Sequence, residues 1–145
     1  MVVKIRWVKP EDRKDIDPGT AGFLEEEFVV LVKGRADEVT EAHERAHVGL
    51  GHQERGRVTA RRYVEDEVDA DLVTYAQMDR PRNIIKDLRG IVGTLVEEWG
   101  GSPAGAVRII EEVFKKKGNR IPLRWRSDLK RLKMGIRRRE EPRFL

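Results

Sequence analysis

Two carboxylates on the apolar face of one amphipathic segment constrain the fold of this chain most strongly. Residues 58–78 show helical periodicity. The inward face of this helix is predicted to contain Ala60, Val64, Glu67, Val68, Asp71, Leu72 and Tyr75. A buried carboxylate is costly without a partner, so Glu67 and Asp71 need a cation or hydrogen-bond donors. Arginines such as Arg61 or Arg89 are one source of that charge, and a metal ion is another. The other acids of the segment are expected to be solvated, namely Glu65, Asp66 and Asp69.

The preceding segment carries two histidines one helical turn apart. Residues 43–47 read His-Glu-Arg-Ala-His, which matches the pattern H-E-x-x-H. Residues four apart share a helix face, so the rings of His43 and His47 can reach one ion. Glu44 lies about 100° around the helix from His43, where the general base for a metal-activated water belongs. The alternative is a helix with two core histidines that hydrogen-bond to backbone or to carboxylates.

The composition decides which side chains can hold a metal. The 145 residues include no cysteine, which excludes a disulfide scaffold, a thiolate zinc site and a cysteine nucleophile. Histidine and carboxylate remain as ligands. Glu67 can complete a His43, His47 and Glu67 set for Zn²⁺ that leaves a fourth position for water. Asp71, one turn later, can accept a hydrogen bond from a ligand histidine and fix its orientation.

The N-terminal part of the chain reads as short strands followed by a helix. Val2 to Val8 alternates apolar and charged residues, and Phe28 to Val32 is a β-branched run, so both predict strands. Pro10 to Gly22 is rich in Asp, Pro and Gly and predicts a loop. Asp37 or Thr40 is expected to cap the helix that carries the histidines, which ends near Leu50.

Helices fill the rest of the chain, so the predicted class is α+β. The helix over residues 58–78 is stopped by Pro81. A second helical stripe consists of Ile84, Leu88, Ile91, Leu95 and Trp99. Ser102 caps a fourth helix with Pro103 at its first position, and its inward residues are Val107, Ile110, Val113 and Phe114. Ser127 to Arg139 predicts a basic amphipathic helix with an apolar side of Leu129, Leu132 and Ile136. Trp99, Phe114 and Trp125 are expected to be packing residues.

Charge is distributed unevenly along the chain. The net charge is +4, but residues 115–145 carry thirteen Lys/Arg and three Asp/Glu, a balance of +10, and the remainder carries −6. We therefore predict a domain over residues 1–118 and a basic helical tail over 119–145. Such a tail can bind nucleic acid, dock on the acidic body or serve solubility. The longest apolar run is too short for a bilayer span and the first residues lack a secretory signal, so a cytoplasmic protein without a membrane partner is expected.

The two motifs together resemble those of a known family of metallopeptidases. His43-Glu44-x-x-His47 with Glu67-Val68-Asp69-Ala70-Asp71 is similar to the paired H-E-x-x-H and E-x-x-A-[DN] motifs of the gluzincins. The twenty residues from His47 to Glu67 match the thermolysin-like spacing. The run from His43 to His52 further resembles the ImmA/IrrE-type and minimal soluble gluzincins. The resemblance covers roughly residues 27–79, and the chain after about Pro81 matches nothing in the family.

The resemblance implies a zincin-like fold and specific residue roles. His43, His47 and Glu67 would bind zinc, Glu44 would be the base, and Asp71 would orient His43. The strand Phe28 to Val32 would form the rim of the cleft and pair with an extended substrate. The metzincin pattern fails at Leu50 and Gln53, and the aromatic-alanine pair expected after the second motif is displaced to Tyr75-Ala76.

Three side chains near these motifs keep more than one possible role. Tyr63 and Tyr75 are candidates for stabilising the oxyanion of the tetrahedral intermediate, and core packing is the other reading of Tyr75. His52 can be a transition-state donor, a spare ligand or a helix-end residue. Together with the base Glu44 and the orienting residue Asp71, Tyr75 completes the set of predicted catalytic residues.

These observations lead to one main functional hypothesis and two rivals. The main hypothesis is a zinc-dependent metallopeptidase that hydrolyses peptide or protein substrates with a zinc-activated water and Glu44 as general base. The first rival is an inactive zincin-fold regulatory module that binds nucleic acid through residues 115–145. The second is a latent enzyme whose basic tail covers the cleft. The substrate specificity and the oligomeric state stay open.

Overall fold

A computed structural model of the chain describes residues 3–52, 58–78 and 83–140. The predicted strand start at Val2, the helix stop at Pro81 and residues 141–145 lie outside the described residues. Within those ranges the chain forms three strands and five α-helices, so the predicted α+β class is confirmed. No helix in them combines the length and the apolar character of a membrane span. The described residues form two compact units, divided within one helix between Glu67 and Val68.

The first unit contains a three-stranded sheet formed by β1 (Lys4–Val8), β2 (Gly22–Glu25) and β3 (Phe28–Val32). The strand order is β1-β3-β2, with β3 parallel to β1 and antiparallel to β2. Residues 29–32 of β3 are fully buried, as expected for a β-branched central strand. The strands predicted within Val2 to Val8 and over Phe28 to Val32 are confirmed.

The position of β3 corrects the prediction that it forms the rim of a cleft. Its backbone is paired on both sides, by Ile5 and Val8 among others on β1 and by Phe23 among others on β2. A strand with both edges occupied has no free hydrogen-bonding groups for an extended substrate. The predicted loop from Pro10 to Gly22 also ends too late, because Gly22 already belongs to β2, which is an edge of the described sheet.

The helix with the two histidines, α1 (Glu38–Gly49), begins at a capping box. Asp37 is the N-cap: its side chain accepts a hydrogen bond from the Thr40 backbone N–H at 2.9 Å, and the Thr40 hydroxyl lies 3.3 Å from the Asp37 backbone N. Of the two predicted caps, Asp37 is therefore the N-cap and Thr40 completes the box. A Cβ at Gly22 would stand 2.8 Å from Thr40 Cγ2, so glycine lets α1 lie close against β2.

The helix with the two carboxylates, α2 (Ala60–Ala76), crosses the division between the units. It lies within the predicted helical segment of residues 58–78. Val64, Val68 and Asp71 of its predicted inward face are buried, and Glu67 is half-buried. The prediction that Glu65 and Asp66 are solvated is wrong, since both are buried.

The second unit packs three further helices, α3 (Ile85–Trp99), α4 (Pro103–Lys117) and α5 (Leu123–Glu140). Ser102 caps α4 with Pro103 at its first turn, as predicted. Most of the inward residues predicted from periodicity are buried, namely Leu88, Ile91, Leu95, Val107, Ile110, Val113, Phe114, Leu129 and Leu132. Ile136, predicted on the apolar side of α5, is only half-buried. Helix α5 begins four residues before the predicted Ser127, because Trp125 continues its buried side one turn earlier.

The aromatic residues of the second unit differ in their exposure. Phe114 and Trp125 are buried with ring centroids 6.5 Å apart, so their predicted packing role is confirmed. Trp99 is instead 37% exposed, and its ring stacks on that of Tyr63 at a centroid distance of 5.4 Å. The stacking explains how a large aromatic residue at the end of α3 is partly covered without entering the core.

Candidate metal centre

His43 and His47 point their Nε2 atoms at the same position beside α1. The two atoms are 3.0 Å apart, and the rings meet edge to face. His47 is buried and His43 is half-buried. The four-residue spacing on a regular helix produces this convergence, which the sequence predicted.

Glu67 of α2 supplies a third donor next to the two histidines. One ligand atom from each of His43, His47 and Glu67 can be chosen so that all three lie within 4.8 Å of one another. The carboxylate is held there by the continuous helix, one turn before Asp71. The structure thus brings together the three side chains that the sequence predicted as metal ligands.

Asp71 fixes the orientation of the His43 ring. Its Oδ1 atom lies 2.8 Å from Nδ1 of His43, and its side chain is 3% exposed. When the Nδ1–H of His43 donates a hydrogen bond to this buried carboxylate, the lone pair of Nε2 is directed toward His47 and Glu67. Arg61, one of the arginines considered as a partner for the carboxylates of α2, contacts Glu65 and Glu112 instead.

His52 is the third histidine and contacts the second ligand candidate. Its Nδ1 atom lies 2.7 Å from Nδ1 of His47. The chain returns toward α1 at this point because Gly51, after the helix end, adopts φ +72°, a conformation that favours glycine. Each histidine of the H-E-x-x-H motif therefore has a side-chain contact at Nδ1, from Asp71 for His43 and from His52 for His47. The spacing in the sequence did not identify this contact.

The two imidazole nitrogens fit a zinc ion in distance, and the three donors fit it in chemistry. Zinc binds imidazole nitrogen at about 2.0–2.1 Å, so two tetrahedral nitrogen ligands stand about 3.3 Å apart. The observed 3.0 Å between the Nε2 atoms is within a few tenths of an ångström of that value. Two imidazoles and one carboxylate with an open fourth position make up a common catalytic zinc set. The residues present can therefore hold such an ion.

Glu44 lies on a different side of α1 from the paired histidines. It is half-buried, and its Cγ atom lies 3.4 Å from where a Cβ on Gly22 would stand. The general-base candidate is thus next to β2, one of the two edge strands of the described sheet.

The two tyrosines named as oxyanion stabilisers are both half-buried. Tyr63 stacks on Trp99 with an interplanar angle of 29°, so its ring belongs to the second unit. Tyr75 lies near the end of α2, and its role in stabilising an oxyanion stays a prediction.

Ion pairs account for the unexpected burial of Glu65 and Asp66 on α2, and Asp66 lies 3.5 Å from Arg62 Nε. Glu65 lies 3.2 Å from Lys116 Nζ and 3.3 Å from Arg62 Nη1. Burial opposes ionisation of Glu65, but the hydrogen bond and charge of Lys116, together with the charges of Arg62 and Lys117, hold its pKa below the ordinary value of 4.5. These contacts are among residues of the second unit and do not involve the metal-ligand candidates.

Comparison with family models, with curated proteins and with solved structures found no match to the chain. The molecule is an α+β chain with a candidate metal centre made of His43, His47 and Glu67.

Proposed function

We propose that this protein is a zinc-dependent peptidase of the gluzincin type with a zincin-like domain. The observation that carries the proposal is the convergence of His43, His47 and Glu67 within 4.8 Å. Imidazole ligands also suit copper, iron and nickel. Zinc is favoured because two histidines, one carboxylate and an open position form a set typical of hydrolytic zinc sites.

The reaction needs an acid to polarise the substrate and a base to activate water. A bound zinc ion supplies Lewis acidity, which polarises a carbonyl oxygen and lowers the pKa of water toward about 7. Glu44 accepts a proton from the attacking water and returns it to the leaving amine. The half-buried setting of Glu44 beside β2 supports this role, because it keeps the carboxylate close to the proposed path of the substrate.

Asp71 and His52 hold the two ligand histidines in a productive orientation. Each contacts an Nδ1 atom, at 2.8 Å on His43 and at 2.7 Å on His47. A neutral histidine whose Nδ1–H donates a hydrogen bond presents the lone pair of Nε2 to the metal. The contacts therefore reduce the freedom of both rings and stabilise the tautomer that binds metal.

The substrate in this proposal is an extended peptide that pairs with β2. The central strand β3 is paired on both sides, whereas β2 has one partner in the described sheet. Main-chain pairing with an edge strand recognises a peptide without demanding a particular sequence. Gly22 at the start of β2 lies against Glu44, so a peptide on this edge passes close to the proposed base.

The deciding experiment measures how much zinc the protein binds and whether that binding depends on Glu67. The untagged protein is purified, and zinc per chain is determined by elemental analysis after incubation with zinc and dialysis. About one zinc per chain is expected, with a loss of affinity of at least tenfold in Glu67→Ala. Asp69→Ala, two residues further along α2, is the matched control and is expected to retain zinc. An intact chain that binds no zinc, or a Glu67→Ala variant with unchanged affinity, refutes the proposed site.

A further inference from the structure

The second unit contains an open groove between α3 and α5 that is separate in sequence from the metal-site residues. Its volume is about 430 Å³, which is within the range of pockets that bind small molecules. The apolar lining residues are Val92 and Val96 of α3, Pro103 of α4, and Leu132 and Ile136 of α5. All of the lining residues belong to the second unit.

Two glycines keep the groove open. Gly93 on α3 and Gly135 on α5 both line it, and a Cβ at either position would meet no atom within 4 Å. Glycine is the poorest helix former after proline, and alanine would fit at both places. A side chain at either position would therefore not clash with the rest of the unit, and it is the two glycines that leave this space open.

The rim of the groove is positively charged. Of the lining residues that the structure describes, Arg89, Arg131 and Arg139 are basic and Glu97 alone is acidic. All three arginines are exposed, and none forms an ion pair within the part of the chain that the structure describes. Helix α5 carries eight basic and two acidic residues. One of those acids, Asp128, is buried and accepts a hydrogen bond from the Ile84 backbone N–H.

We propose that this groove binds an acidic amphipathic helix of a partner protein. The lining of α3 from Arg89 to Glu97 spans about 12 Å, or two helical turns, since a helix rises 1.5 Å per residue. That length takes two or three apolar side chains spaced i, i+4 and i+7 along a docked helix. The flanking carboxylates of such a helix then face the three arginines, which gives charge complementarity as well as apolar burial.

The chemistry of the groove favours a helix over nucleic acid. Among the described residues that line it none is aromatic, so they offer no surface on which bases can stack. Phosphates would contact the arginines but would leave the apolar floor uncovered. A docked amphipathic helix uses both features at once.

The test is the binding of a fluorescein-labelled helical peptide with leucines at i, i+4 and i+7 and glutamates on the flanks. Fluorescence anisotropy is measured with the intact protein at about 0.15 M salt. We expect saturable binding, and at least about tenfold weaker binding when the glutamates are replaced by glutamines. Equal binding of the two peptides overturns the charge complementarity on which the proposal rests.

Matched variants localise the binding to the groove. Gly93→Leu fills the groove and is expected to weaken binding by at least about tenfold. Gly90→Leu introduces the same side chain one turn earlier on α3, outside the groove and in open space, and is expected to have no effect. Arg131→Glu is expected to weaken binding much more than Lys130→Glu, its exposed neighbour outside the lining.

A nucleic acid is the rival ligand, and the same variants distinguish it. Binding of a DNA or RNA oligonucleotide is expected to be insensitive to Gly93→Leu and equally sensitive to the two charge reversals. If only the oligonucleotide binds, or if the peptide behaves in the same way as the oligonucleotide, the proposed helix groove is refuted. Circular dichroism melts of each variant verify that it is folded.

Discussion

His47 and His52 are joined through their Nδ1 atoms, which lie 2.7 Å apart. Such a contact holds one proton between two nitrogens, so one ring donates and the other accepts. If His47 donates, its Nε2 lone pair is available to a metal. If His52 donates, the proton of neutral His47 lies on Nε2 and faces His43. Metal binding therefore selects the arrangement in which His52 accepts, and it makes His52 a positioning residue for His47.

Removal of the His52 ring is expected to weaken zinc binding without preventing it. In His52→Ala the His47 ring loses the acceptor that stabilises its metal-binding tautomer, and the zinc affinity should fall by about 10–100-fold. Competition with a chromophoric chelator measures the affinity. Leu50→Ala, an exposed position at the same helix end, is the control and should bind zinc as the wild type does.

The NMR spectrum of the zinc-loaded protein provides a second readout for His52. The ¹⁵N shifts of His47 should show a protonated Nδ1 and a metal-bound Nε2 in the wild type. An unchanged affinity in His52→Ala, with His47 coordinated through Nε2 as before, would show that His52 only closes the end of α1.

Glu44→Gln is expected to separate metal binding from hydrolysis. The amide keeps the size of the side chain but cannot accept the proton of the attacking water, so peptide hydrolysis should fall by about 10²–10⁴-fold. Zinc per chain should stay unchanged, because Glu44 is outside the ligand cluster. Glu41→Gln, on the first turn of α1 beside Arg45, is the matched control. If Glu44→Gln hydrolyses peptides at the wild-type rate, this residue is excluded as the base.

Local signals in the sequence predicted most of the elements. The apolar run from Phe28 to Val32 matched β3 to the residue, and Asp37 and Ser102 were found as caps because capping depends on neighbouring residues. Strand β2 was missed because its four residues show neither alternation nor a β-branched run. The central position of β3 could not be predicted, since strand order depends on contacts between distant segments.

In the candidate site, too, local spacing was predictable and contacts between distant residues were not. The four-residue spacing predicted the convergence of His43 and His47, and the apolar face of α2 predicted the approach of Glu67 and Asp71. The contact of His52 with His47 depends on the backbone turn at Gly51 and on ring rotation, which a linear pattern does not record. The burial of Glu65 depends on Lys116, which is 51 residues away, so helix periodicity could not predict it.

The close approach of β2 to α1 makes Gly22 a sensitive position. A methyl group there would stand 2.8 Å from Thr40 Cγ2, and the capping box with Asp37 prevents the threonine from turning away. We expect Gly22→Ala to lower the free energy of unfolding by about 1–3 kcal/mol, as overpacking does. Urea denaturation measures this change, and Gly19→Ala, where a Cβ meets nothing, is the control.

A second substitution tests the cause of that loss. Thr40→Ser removes the Cγ2 methyl but keeps the hydroxyl of the capping box, so it should restore most of the stability in the Gly22→Ala background. A double variant as unstable as Gly22→Ala would show that the strain arises elsewhere, at Leu31 or Glu44.

The ion-pair cluster at Glu65 is expected to make stability depend on acid pH. The pKa of Glu65 in the folded protein is lower than the ordinary 4.5, so its contribution is fully present above that value. The contribution is lost as the pH falls through the folded pKa, because the unfolded state then binds the proton first. Glu65→Gln should cost about 1–3 kcal/mol at neutral pH, since it weakens the contacts with Lys116 and Arg62 at a buried position.

The comparison of wild type with Glu65→Gln by urea denaturation across pH checks the sign of this effect. The difference in unfolding free energy should be constant near neutrality and shrink at pH values below 4.5. Glu112→Gln, which removes an exposed partner of Arg61 in the same unit, should change stability by less than about 1 kcal/mol. A difference that grows as the pH falls would mean that the pKa of Glu65 is raised by burial and that Lys116 does not offset its desolvation.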